Sequence, residues 1–270
     1  MIDYELVHAY ETVNLHRSGA AARIELNRPE KRNAWDETLT RDLQAVLARV
    51  GEDDELRAVL ITGAGKGFCS GADLSAGFMP AEDGAPDLLR SLRERYHPVI
   101  TGIRALPKPV VAAVNGAAAG VGCSLALACD LVLAAESAYF LLAFVNIGLV
   151  PDGGSSAFIP ARVGLARATE MAMLGERVGG AQALAWGLVN AVHADDELQD
   201  AADALVARLA AGPTRSYAGA KRQLNAWCYP GLEDHLELEA EIQHQAARTT
   251  DFVEGVTAFL QKRPAAFTGR

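Results

Sequence analysis

The chain is short of the features that mark several large protein classes. Its 25 Lys and Arg against 34 Asp and Glu leave a net charge of −9, so it lacks the basic surplus that a nucleic-acid-binding face uses to displace counterions. An anionic small ligand remains compatible, provided a few cations cluster locally. Cysteine is scarce: Cys69, Cys123, Cys129 and Cys228 form no CxxC, and no histidine pair has ligand spacing, so no structural zinc site is expected. The P-loop pattern is missing, because Lys66 is followed by Gly67, and no GxGxxG follows Asn115; nucleotide binding by those routes is disfavoured. No low-complexity tract occurs, and disorder is expected only in the terminal TGR. The first residues, MIDYELVHAYE, are acidic and mixed rather than a basic patch followed by an apolar core. No secretory leader is expected there, and a reducing cytoplasm is the expected location.

What is present is a core-forming chain. Half of the 270 residues are hydrophobic, which suits one large α/β domain or a domain with an appended subdomain. The uncharged run Val110 to Cys129 has 20 residues, nominally enough to span a bilayer. Its Asn115 and three glycines instead suggest a strand, a tight turn and a buried helix, and no membrane partner is expected. Strands are predicted at Ala22–Pro29, Leu56–Gly65, KPVVAAVNG and LVLAAE, with a short one in LVNAVHADD. Helices are predicted at Leu39–Asp53, with Leu43, Val46, Leu47 and Val50 on one face, and after Asp87 and Gly120. Strand and helix alternate to about Val192, and from Leu198 the pattern is helical throughout. Residues 1–197 therefore read as a layered core and 198–270 as a lid or assembly region.

Three glycine-bearing loops follow strands: TGAGKGFCSGADL, NGAAAGVGCS and PDGGSS. Gly120 and Gly122 flank Val121 at a helix start, where unpaired N–H groups and the helix dipole favour negative charge. Ala72, beside Gly71, presents an N–H from another loop. Two converging N–H groups would stabilise charge developing on a carbonyl oxygen; tight packing is the other reading of such glycines. Asp152, between Pro151 and two glycines, follows a long uncharged run, FLLAFVNIGLVP. It is either the N-cap of the next helix or a functional acid.

The segments NRPEKRNAW, ITGAGKGFCSGADL, KPVVAAVNGAAAGVGCSLALACDLVLAAESAYF and IGLVPDGGSS, in that order and spacing, resemble the enoyl-CoA hydratase/isomerase (crotonase) superfamily over nearly the whole chain. The resemblance implies an α/β fold, a crotonase-like spiral of ββα repeats with a C-terminal all-helical trimerisation region, assembled as a homotrimer or a hexamer of paired trimers. It implies an acyl-CoA thioester as substrate, with coenzyme A part of that substrate and no separate cofactor. The thioester oxygen maps to the N–H groups of Ala72 and Val121, with Gly120 beside them. Lys31 and Arg32 match a segment near the CoA nucleotide. Lys262, with Phe259 beside it, matches a lysine that reaches CoA phosphate, often from a neighbouring subunit. Ser70, Asp73 and Leu74 match backbone contacts to adenine, although Asp73 also has a plainer use in pinning its loop.

The same resemblance exposes a departure. Family hydratases carry two glutamates; the matching positions here are Ser124 and Phe144. Water addition needs one group to activate water and another to relay a proton, so a standard hydratase is not expected. Members with an acid in the PDGG-type loop are isomerases of enoyl-CoA or ring-derived arylacetyl-CoA, which moves the expectation for Asp152 from cap to acid/base, with Ser155 or Ser156 left to cap the helix. An apolar wall of Phe140, Leu141, Phe144 and Val145 is expected to raise its pKa. A hydratase with non-standard acids, an aspartyl nucleophile acting on an aromatic thioester, and a CoA-binding assembly protein without turnover are the alternatives. Ser124 is expected to be a helix-start hydroxyl, His97 a surface histidine, and Asp130 and Glu136 scaffold acids. Acyl specificity is expected within Ser75 to Tyr96.

Overall fold

The computed structural model describes residues 3–270, so Met1 and Ile2 of MIDYELVHAYE lie outside the described residues. Eleven strands are β1 (Glu5–Ala9), β2 (Val13–Ser18), β3 (Ala21–Leu26), β4 (Ala58–Gly63), β5 (Gly67–Cys69), β6 (Val110–Val114), β7 (Ala117–Ala119), β8 (Leu131–Ala135), β9 (Tyr139–Leu141), β10 (Val178–Gly179) and β11 (Ala191–His193). The helices are α1 (Glu37–Glu52), α2 (Leu88–Ser91), α3 (His97–Ala105), α4 (Val121–Ala128), α5 (Ser155–Leu174), α6 (Gly180–Trp186), α7 (Leu198–Ala211), α8 (Thr214–Cys228), α9 (Leu232–Ala246) and α10 (Thr250–Leu260).

The strands form two sheets, ordered β1-β2-β3-β4-β6-β8-β11 and β10-β9-β7-β5. From β3 onward the large sheet is parallel, and so are β5, β7 and β9 in the small one. Each pair β4/β5, β6/β7 and β8/β9 puts its first strand in the large sheet and its second in the small sheet, so the chain coils between two layers. Every residue of β4 and β6 is buried, which is why AVLITG and VVAAV read as continuous apolar runs rather than alternations. Helix α1 seats its predicted face, Leu43, Val46, Leu47 and Val50, in the core, and Asp36 caps it by accepting the Leu39 N–H. Helix α7 packs across β4, β6 and β8. The uncharged run from Val110 is β6, β7 and α4, and among the described residues no helix is long and apolar enough to cross a membrane.

The predicted strands and helices are present, with additions. Strands β1 and β2, which extend the predicted β3 into an antiparallel ribbon, and the three-residue strands β5, β7 and β9 go beyond the sequence reading; three residues are too few to display a period. The stretch after Asp87 is helical but interrupted by a π-helical turn at Leu92–Tyr96. The terminal TGR is not disordered: Thr268 and Gly269 donate their N–H groups to the Asp251 carboxylate (2.6 and 2.7 Å), and the Arg270 carbonyl accepts the Asp251 N–H. The Arg270 carbonyl thereby takes one N–H of the first turn of α10.

The small sheet positions the site. Because β5, β7 and β9 are parallel neighbours, the segments leaving their C-terminal ends emerge side by side at one edge. Helix α4 lies so close to β5 that a Cβ on Gly122 would overlap the Cys69 carbonyl oxygen. Gly122→Ala therefore forces backbone apart, and is expected to destabilise the protein by roughly 1–3 kcal/mol or more. A denaturant midpoint unchanged in Gly122→Ala would show that contact to be loose.

Candidate active site

The first two loops meet backbone to backbone. Gly71 has φ +94° and sits where a Cβ would come within 2.9 Å of the Ala119 carbonyl oxygen; Gly120 has φ +52° and opens α4. Only glycine combines those dihedrals with that proximity. Trp35 forms a parallel bridge with Ala72, donating its N–H to Gly71 and accepting that of Asp73. That alternation consumes the flanking groups and leaves the Ala72 N–H without a protein acceptor among the described residues. Val121, as the first residue of α4, has no intrahelical acceptor for its N–H and finds no other among the described residues. Both residues line one cavity of about 230 Å³.

The third loop brings Asp152 to the same cavity. Gly153 and Gly154, at φ +62° and +83°, turn the chain into α5. The main-chain carbonyl of Asp152 accepts the hydroxyls of Ser124 (2.7 Å) and Ser155 (2.8 Å). Its side chain is only 4% exposed. Oδ2 accepts a 2.8 Å hydrogen bond from Gln243 Nε2 on α9, and Oδ1 has no partner. Burial, reinforced by the nearby Glu239 carboxylate and opposed by the Gln243 bond, pushes the Asp152 pKa up to about 8.

The cap reading of Asp152 is thereby overturned. The start of α5 is capped from another helix: Glu239 accepts the N–H of Gly154 (2.7 Å) and of Ser156 (2.9 Å). Ser155 and Ser156 do not cap it either, since Ser155 spends its hydroxyl on Asp152. Ser124, fully buried and bonded to the same carbonyl, is the helix-start hydroxyl expected of it.

Of the other predicted site residues, Ser70, Asp73, Leu74, Gly120, Phe144 and Phe259 line the cavity with Ala72, Val121 and Asp152. Lys31, Arg32 and Lys262 do not. Lys31 lies just outside, its Nζ 3.1 Å from Ser75 Oγ, and Arg32 and Lys262 are exposed with left-handed backbones. Asp73 pins its loop, accepting the Ser75 N–H and hydroxyl and pairing with Arg28 at 3.2 Å. The expected wall is half right. Leu141 and Phe144 face the cavity, whereas Phe140 and Val145 do not; Leu149, Leu92 and Tyr96 are among the other apolar residues that line it. Tyr96 stands on the π-helical turn, edge-on to Trp35 with ring centroids 5.2 Å apart. Such a turn re-aims one side chain relative to a regular helix, and nothing in LRERYH signals it.

His97 is a correction: it is half-buried, outside the cavity, and its Nε2 has no partner; burial pushes its pKa down to about 4. Asp130 is a scaffold acid, paired with Arg104 (3.0 Å) and Lys221 (2.9 Å) and accepting the Val110 N–H. Glu136 is exposed and forms no ion pair among the described residues. Sequence reasoning missed Gln243 and Glu239. They lie one turn apart on α9, whose sequence LEDHLELEAEIQHQA is so rich in polar residues that the two buried ones do not stand out.

A family model described as enoyl-CoA hydratase/isomerase matches residues 16–270. The chain belongs to the enoyl-CoA hydratase/isomerase family. It is 43% identical to a protein named probable enoyl-CoA hydratase of Rhodobacter capsulatus, over 97% of this chain and all of that one. It is 40% identical to the 1,2-epoxyphenylacetyl-CoA isomerase of Escherichia coli, over 96% and 99%. A crystal structure of an enoyl-CoA hydratase from Mycobacterium avium subsp. paratuberculosis superposes with a TM-score of 0.87 at 40% identity, covering 96% of this chain and 100% of that one. The fold is the crotonase fold, and the chain is an enzyme of this family.

Burying Asp152 has a stability signature. Its pKa is raised from 3.8 in the unfolded chain to about 8, so the folded state binds the extra proton between those values. Stability is then highest below about pH 4 with respect to this group, and falls as pH rises through 8, by an amount on the order of a few kcal/mol. Asp152→Asn is expected to remove this slope and to be more stable than the parent at pH 8, with the advantage shrinking toward pH 4. Parallel melting curves across that range would show it; a constant offset would mean that Asp152 is not buried in its charged form.

Proposed function

We propose that this enzyme shifts a carbon–carbon double bond in an enoyl-CoA, or in a ring-derived arylacetyl-CoA, with Asp152 as the acid/base. The observation that carries the reading is the free, buried Oδ1 of Asp152 in a cavity whose other acids are neutralised. Asp36 and Asp73 also line it, but both pair with Arg28, at 3.0 and 3.2 Å. In the forward step Asp152 takes a proton from the carbon next to the thioester carbonyl, and the electron pair moves onto the carbonyl oxygen. The Ala72 and Val121 N–H groups hold that enolate. The double bond re-forms toward the carbonyl-adjacent carbon, and the same carboxyl returns the proton two carbons along. No net proton or electron is gained, so one acid suffices. Ser124 and Phe144 supply no second acid for water activation.

Lys31, Arg32, Ser70, Asp73, Leu74, Phe259 and Lys262 are assigned to the CoA moiety, with Gly120 and Phe144 against the acyl end. No separate cofactor is required, and the setting is assigned as cytoplasmic. A homotrimer, or a hexamer of paired trimers, is proposed as the assembly; exposed apolar side chains on the helical region, such as Trp227 (83% exposed) and Leu224, support it. The relative named as a probable hydratase favours a second reading, water addition by non-standard acids.

The test is isomerisation of a 3-enoyl-CoA, and deuterium exchange next to the thioester, in the parent and in Asp152→Asn. Loss of both by about 10²–10⁴-fold, with CoA-thioester binding retained, is expected. Full exchange in Asp152→Asn would end the isomerase reading; water addition to a 2-enoyl-CoA, lost in that variant, would favour the hydratase. Because the carboxylate form abstracts the proton, kcat/KM for the parent is expected to rise with pH up to about 8.

A further inference from the structure

Helix α9 belongs to the helical region that follows the layered core, yet two of its side chains reach the Asp152 loop. Gln243 is 1% exposed and bridges two points of that loop: Nε2 donates to Asp152 Oδ2 at 2.8 Å, and Oε1 accepts the Val150 N–H at 3.2 Å. Glu239, one turn earlier and also buried, holds the N–H groups of Gly154 and Ser156 with separate oxygens. The loop is thus gripped on both sides of the acid by one helix face. Neither residue forms an ion pair among the described residues, and Glu239 does not line the cavity.

We infer that Gln243 and Glu239 are paired positioning residues for Asp152, holding the loop from α9 so that Oδ1 alone faces the cavity. The inference rests on the acid/base reading of Asp152. The two contacts act in opposite electrical senses. The Gln243 N–H stabilises the carboxylate, whereas the Glu239 charge disfavours it. Tyr96 on the π-helical turn is a further titratable group that interacts with Asp152, and as a neutral phenol it leaves the balance to the α9 pair. From α4, the uncharged Ser124 and Val121 approach the loop. Two plain core contacts would also fix the loop, but they would not work against each other on one proton.

The experiment follows the Asp152 side-chain carboxyl by ¹³C NMR titration in the full-length enzyme, assigning its resonance by its loss in Asp152→Asn. Gln243→Met removes the donor, and the midpoint is expected to rise by about one pH unit, a tenfold change in proton affinity. Glu239→Gln keeps one of the two backbone acceptors and removes the charge, and the midpoint is expected to fall by a similar amount. Where Gln243→Met does not fold, Gln243→Glu keeps the Val150 bond and removes the donor; its midpoint is expected to rise. The pH profile of kcat/KM should move with each midpoint while KM for the thioester changes little. Midpoints that stay in place, or move the same way in the Gln243 and Glu239 variants, overturn the inference. The titration reads the proton directly, so it stands or falls separately from the Asp152→Asn exchange experiment that tests the isomerase reading.

Discussion

The contact on which the site depends is the one between two stretches of bare backbone, Cys69–Gly71 and Gly120–Gly122. A Cβ at Gly71 would crowd the Ala119 carbonyl, and one at Gly122 would overlap that of Cys69. Such an approach needs glycine, and it needs the parallel register of β5 against β7 that brings the two strand ends level. Once they are level, Ala72 and Val121 follow immediately, each with an N–H that the local structure leaves unused. The pair of donors is thus a by-product of how two short strands stop. The third strand of the same sheet, β9, leads into the segment that carries Asp152 to the same edge.

The second constraint is electrostatic. A carboxylate that is 4% exposed, with one oxygen unpartnered, costs free energy in its charged form, and the fold meets this with one hydrogen bond rather than a cation. A cation would favour the charged form; Arg28 takes that place for Asp36 and Asp73, which line the same cavity. The neutral donor Gln243 fixes the direction of Asp152 while leaving its proton affinity high. Glu239 completes the arrangement, because the acceptor that caps α5 brings a negative charge near Asp152.

Much of this was legible in the sequence. The apolar runs of β4 and β6, the amphipathic α1 and the glycine pattern of the loops follow from local rules, and they place Ala72, Val121 and Asp152 correctly at loop ends. Strands β5, β7 and β9 were not legible, because three residues carry no periodicity and their existence depends on pairing with distant partners. The local sequence leaves cap and functional acid open for Asp152, because nothing nearby distinguishes them; the group that caps α5 lies 85 residues downstream from Gly154. Gln243 and Glu239 were hidden for the same reason, since their burial is a property of where α9 docks. Lys31, Arg32 and Lys262 carry a family expectation that the cavity of a single chain does not gather.

The missing glutamate at 124 and the acid at 152 are two sides of one packing fact. Ser124 is fully buried; a Cβ on Gly153 would come within 2.9 Å of its Cβ, and its hydroxyl is committed to the Asp152 carbonyl. A glutamate at 124 would remove the hydroxyl that anchors the loop and would set a longer side chain against Gly153. Moving the loop away to admit it would pull Asp152 from Gln243. Position 124 of α4 and the third loop are thus in direct contact, and a change at one is felt at the other. The small hydroxyl residue at 124 therefore helps to hold the loop that carries Asp152 to the cavity.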